Sequence, residues 1–90
     1  MKLTPEQIMH LFDKVSRWVD DYESYHTWYM VSGDPYWNSD KTSLCFTVTG
    51  HIDQGEGVDW EENWGIDCDG KIYDSHIVHN SFEDFKKNWE

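Results

Sequence analysis

Residues 58–73 read VDWEENWGIDCDGKIY, and the reading of that stretch decides the fold. Its even positions carry Val58, Trp60, Trp64 and Ile66, with Glu62 the exception; Asp59, Glu61, Asn63 and Asp67 take the odd ones. Successive strand side chains point to opposite faces, so the alternation predicts a strand with one apolar and one wet face. Asp69-Gly70 is a hairpin signal, because glycine supplies the positive φ that a tight return needs. A three-residue loop Cys68-Asp69-Gly70 sets Ile66 opposite Ile72, whereas a two-residue loop sets it opposite Tyr73. Matching two aliphatic residues favours the first. In both cases the returning strand is KIYDSHIVH, residues 71–79.

Working outward, SLCFTVTGHI (43–52) alternates in the same way. Leu44, Phe46, Val48 and Ile52 share one face, and Cys45, Thr47, Thr49 and His51 the other. Gly55 and Gly57 mark the connection between these two strands. HTWYMVS (26–32) is rich in aromatic and β-branched residues and stops at Gly33-Asp34-Pro35, which predicts a strand and then a turn. Before it lies an amphipathic helix over about residues 5–24. Thr4 is its N-cap, Pro5 its first residue and Gln7 the partner in a capping box, with Leu3 and Ile8 placed as a hydrophobic staple. Ile8, Leu11, Phe12, Val15, Trp18, Val19 and Tyr22 recur at helical spacing. A short terminal helix follows Ser81, with Asp84 in its first turn, Phe82, Phe85 and Trp89 inward, and Lys86 and Lys87 near its end. The expectation is one α+β domain over residues 1–90. Its N-terminal amphipathic helix packs on a three- to four-stranded antiparallel β-meander, closed by a short C-terminal helix.

The chain carries 18 acids against 7 bases, a formal net charge of −11, and 17% aromatic residues including six tryptophans. That imbalance repels nucleic acid and anionic membranes and favours rapid encounter with cationic partners. The N-terminus has no apolar run of signal-peptide length and no stretch approaches a membrane span, so a cytoplasmic location is expected. Cys45 and Cys68 are then expected as free thiols.

Residues 51–70, HIDQGEGVDWEENWGIDCDG, hold seven carboxylates, and no Lys or Arg falls between Lys41 and Lys71. Calcium would require an acid at Gly65 and a bidentate Glu at His76 if Asp67, Asp69 and Gly70 belonged to an EF-hand loop, and both are missing. Zinc lacks a Cys-x-x-Cys pair, and His76 and His79 point to opposite faces of a strand. No metal or cofactor is expected. An enzyme would need Glu62 or a histidine in a cleft, and Glu62 among Trp60 and Trp64 is the more interesting of these, since desolvation raises a carboxyl pKa as general acids require. With no nucleophile or nucleotide motif beside it, the chain is expected not to be an enzyme.

What remains is a one-signed acidic surface, where a surface built for solubility mixes both signs. Asp59, Glu61 and Asp67 lie on one strand face, where alternate residues repeat every 6–7 Å or so, the same order as successive phosphates along a nucleic-acid strand. Asp53, Glu56 and Asp69 extend the charge from flanking loops. Asp20, Asp21 and Glu23 form a second cluster at a helix C-terminus, where the macrodipole disfavours acids. Tyr36 and Trp37, in a turn-rich segment, are candidate aromatic anchors. In size and charge the chain resembles phage-encoded inhibitors of host defence nucleases (anti-CRISPR and anti-restriction proteins) and acidic immunity proteins that neutralise nuclease toxins. The resemblance implies an inhibitor that blocks a basic, nucleic-acid-binding protein by presenting carboxylates in place of phosphates. The alternative is a small-ligand or peptide-binding module that uses exposed aromatics.

Overall fold

A computed structural model of the chain describes residues 2–24 and 26–89, and for Glu23 and Ser24 the backbone alone. Helix α1 spans Pro5–Asp21 and starts as its capping signals dictate. The Thr4 hydroxyl accepts from the Gln7 N–H at 3.2 Å, and the Gln7 side chain accepts from the Thr4 N–H at 2.9 Å. Thr4→Ala removes one half of this box and should cost about 1 kcal/mol, measured as a lower denaturant midpoint with an unchanged slope. The helix ends three residues before its expected limit. Tyr22 turns into extended backbone and sends its ring against Tyr29 and Trp89, with centroids 5.7 and 4.7 Å away. Neither helix is long and apolar enough to cross a membrane.

The remaining strands are β1 (Glu23–Ser24), β2 (Thr27–Trp37), β3 (Ser43–Ile52), β4 (Val58–Asp67), β5 (Ile72–Tyr73) and β6 (Val78–His79), followed by α2 (Phe82–Asn88). They form one antiparallel meander in the order β1-β2-β3-β4-β5-β6. Three strands are long and three are two-residue pieces, so the sheet is wider than the three or four strands expected. Ile66 pairs with Ile72, and Gly70 takes φ +82°, which is the three-residue hairpin.

Two expectations need correction. Gly33-Asp34-Pro35 does not end β2. Ser32 pairs with Thr47 and Tyr36 with Cys45, so three residues of β2 bulge opposite Phe46 alone. Gly33 at φ +71° opens the bulge, and because two residues are inserted, Tyr36 stays on the face of Ser32. Residues 71–79 are not one strand. The Asp74 carboxylate accepts from the N–H groups of His76 and Ile77 at 2.7 and 2.8 Å, and this Asx turn folds the segment into β5 and β6.

One face of the sheet is dry. Ile8, Phe12, Val15 and Val19 of α1 meet Leu44, Phe46 and Val48 of β3, Trp64 and Ile66 of β4, Ile72 of β5 and Phe85 of α2, all buried. Ser81 caps α2 by accepting from the Asp84 N–H at 3.2 Å. Both helices lie on this face and leave the other one uncovered.

Candidate protein-docking face

Alternation along each strand decides which residues reach the uncovered face, and the cross-strand register arranges them in rows. Trp28, His51 and Asp59 form the first row, Met30, Thr49 and Glu61 the second, and Ser32, Thr47 and Asn63 the third. The fourth runs Tyr36, Cys45, Gly65, Tyr73 and Val78, across five strands. Trp28, Met30, Tyr36, Tyr73 and Val78 are all exposed large apolar residues, and Tyr36 is 56% exposed. No Lys or Arg occurs anywhere in β2, β3 or β4. Four of the seven bases, Lys14, Arg17, Lys86 and Lys87, sit instead on the two helices that cover the opposite face. The described residues enclose no pocket, so this is a surface and not a cleft.

The predicted acids divide by what their carboxylates touch. Asp53, Glu56 and Glu61 are exposed, and their carboxylates meet no hydrogen-bond or ion-pair partner among the described residues. Asp59 pairs with Nδ1 of His51, whose ring lies 4.3 Å from that of Trp28. Asp67 works inside the hairpin. Its Oδ1 accepts from the N–H groups of Asp69 and Lys71 at 2.9 and 3.0 Å, and its Oδ2 from the Tyr73 hydroxyl at 2.7 Å. That hydrogen bond, reinforced by burial and by the charge itself, holds the Tyr73 phenol above its ordinary pKa.

Asp69 has a cation from outside the acidic stretch. Lys2 reaches it at 2.5 Å, because the Leu3 N–H donates to the Cys68 carbonyl at 2.7 Å and ties the N-terminus to the hairpin. Their mutual hydrogen bond raises the Lys2 pKa and lowers that of Asp69.

Asp20 does not join the open face. Asp20 accepts from the Val31 N–H at 3.3 Å along the outer edge of β2, beyond the reach of β1, where an open strand edge would otherwise invite pairing. Asp21 is exposed beside it, and the Glu23 side chain lies outside the described residues. Of the two aromatics in the turn-rich segment, Trp37 pairs with Leu44 and is half-buried against the core, and Tyr36 is exposed. Met30, Tyr73 and Val78 were missed. Their signal was the alternation with Tyr29, Ile72 and His79, which is legible once the bulge and the 74–77 turn are placed.

Glu62 sits on the helix-covered side, half-buried, and its carboxylate is clasped. Trp60 Nε1 donates to Oε2 at 2.7 Å, Trp64 Nε1 to Oε1 at 2.9 Å and the Ser75 hydroxyl to Oε1 at 2.8 Å. Three donors replace the water that a carboxylate against bare indoles would lose. The Trp60 ring lies on Gly50, where an added Cβ would stand 2.4 Å from its atoms. Tyr29 nearby has its pKa raised, first by burial and then by the Glu62 charge. No group of three His, Cys, Asp or Glu fit to hold a metal occurs among the described residues. Cys45 and Cys68 are free thiols.

Compared with known proteins, the chain matches no family model, and no curated protein or solved structure gives a significant match.

Proposed function

We propose that the chain is a docking inhibitor, whose open sheet face seats on a basic, nucleic-acid-binding protein and blocks it. The observation that carries the reading is the segregation of charge. The three long strands hold carboxylates and no base, while the helices behind them carry four of the seven bases. A face built only for solubility would mix the signs. Asp59 and Glu61 lie next to each other on that face, Asp53 and Glu56 extend it from the β3–β4 connection, and Trp28, Met30 and Tyr36 flank it as apolar contact area. The carboxylates would occupy Lys and Arg positions that otherwise hold phosphates, and the aromatics would supply the desolvated anchors.

Electrostatic steering acts mainly on the association rate. With the basic protein captured from a host lysate at low salt, stopped-flow mixing should show association slowing steeply as the Debye length shortens from about 30 to about 3 Å. The double variant Asp59→Asn/Glu61→Gln should associate about tenfold more slowly at low salt and approach the parent at high salt. Association that is indifferent to salt and to this double variant would sink the electrostatic reading and favour a module that binds through its aromatics alone.

A further inference from the structure

Gly65 has no role in the fold that alanine could not fill. It lies inside β4 with β3 on one side and β5 on the other, where glycine weakens a strand. Its φ is not positive, unlike that of Gly33, Gly55, Gly57 and Gly70. A Cβ built on it would meet only the Leu44 carbonyl oxygen, at an ordinary 3.6 Å, whereas at Gly50 the Trp60 ring forbids one. A strand glycine with no bulge, no positive φ and no close neighbour leaves room on its face for a ligand or another chain to come close.

The surroundings say what. Gly65 and Cys45 are the two small residues in the middle of the fourth row, with exposed Tyr36 at one end and exposed Tyr73 beyond the other. Strands about 4.8 Å apart put the two tyrosine backbones about 14 Å from each other, with a low floor between them. Asn63 and Asp67 stand on either side of Gly65 along β4. Oδ1 of Asp67 already accepts two N–H groups, but Oδ2 takes only the Tyr73 hydroxyl and keeps acceptor capacity.

We infer that Gly65 is the floor of an arginine notch: an arginine side chain of the docked partner lies over Gly65 between Tyr36 and Tyr73, with Asp67 as its counter-charge. This rests on the docking reading above and adds the anchoring side chain. A guanidinium is flat, stacks on aromatic faces and donates in its own plane, which a lysine ammonium cannot do. The three long strands hold no base, and Lys71, opposite Asp67 in the hairpin, forms no ion pair with it among the described residues, which leaves the partner to supply the cation.

The test is a 1H–15N NMR titration of the full chain with N-acetyl-arginine amide, and in parallel with the lysine and leucine analogues. The arginine compound should shift the amides of Tyr36, Cys45, Gly65 and Tyr73 to saturation at several-fold lower concentration than the lysine compound. Gly65→Val should keep the remaining spectrum and lose these shifts. If valine disturbs the sheet, Gly65→Ala, whose Cβ has room, should weaken them. Shifts of the same size in the glycine variants overturn the notch. So does an arginine compound no better than leucine. Arginine shifts centred on Asp59 and Glu61 and unaffected at Gly65 overturn the notch while leaving the acidic docking face standing. No response to either cation on β4 overturns both.

Discussion

Asp74→Ala should lower the free energy of unfolding by about 2–3 kcal/mol, the penalty for leaving a buried polar group without its partner. Asp74 and His79 have side chains 9% and 1% exposed, and Oδ2 of Asp74 lies 2.7 Å from Nε2 of His79. The same carboxylate caps the N–H groups of His76 and Ile77 through Oδ1. His79 in turn packs edge-on against Phe85, 5.3 Å between centroids, and its Nδ1 is 3.4 Å from the Asn88 amide. One side chain thus holds the 74–77 turn, β6 and α2 on the core. Alanine leaves His79 buried without its partner and two backbone donors without theirs.

The pH dependence has a definite sign. Burial works to raise the Asp74 pKa, but the Ile77 N–H, His79 and the His76 N–H outweigh it, and the folded carboxyl is held below its ordinary value. A depressed folded pKa means stability that is complete above the unfolded value of about 3.9 and lost as pH falls through the folded one. Urea unfolding should show the gap between parent and Asp74→Ala at full size near neutrality and shrinking below about pH 4. A gap that stays constant down to about pH 2 would mean that the carboxylate charge is not what stabilises this corner.

Glu62→Ala should cost about 2–3 kcal/mol, because it strands two indole donors, one of them on the buried Trp64, together with the Ser75 hydroxyl. Glu62→Gln should cost roughly half as much. Its amide oxygen still accepts from one indole, while its NH2 faces the other donor. Equilibrium unfolding followed by tryptophan fluorescence reads both, since each indole N–H is itself part of the bond. Stability within about 0.5 kcal/mol of the parent for Glu62→Ala would show that water serves these donors as well as the carboxylate does.

Much of the fold was legible. The capping box, the apolar stripe of α1, the alternation of β3 and β4 and the Ile66–Ile72 register are patterns of neighbours in sequence, and the backbone periods of 3.6 and 2 translate them directly. The errors fall where a side chain or an extra residue redirects the chain. Pro35 looked like a terminator, but a bulge lets β2 resume with its faces unchanged. Asp74 looked like one polar residue of a strand, but its carboxylate makes a turn.

The site was legible only as a composition. By itself the sequence determined that the strands are one-signed, that Asp59, Glu61 and Asp67 share a face, and that Glu62 does not. Only the tertiary structure decided which of those charges remain free. Asp69 is taken by Lys2, 67 residues away, one oxygen of Asp67 by the backbone of its own hairpin and Asp20 by the edge of β2. It also decided that Trp37 packs against the core and that Tyr36 and Tyr73 flank the Cys45–Gly65 pair. Periodicity is a local property of the backbone, whereas the partner of a carboxylate or an aromatic ring depends on which distant segment the fold brings beside it.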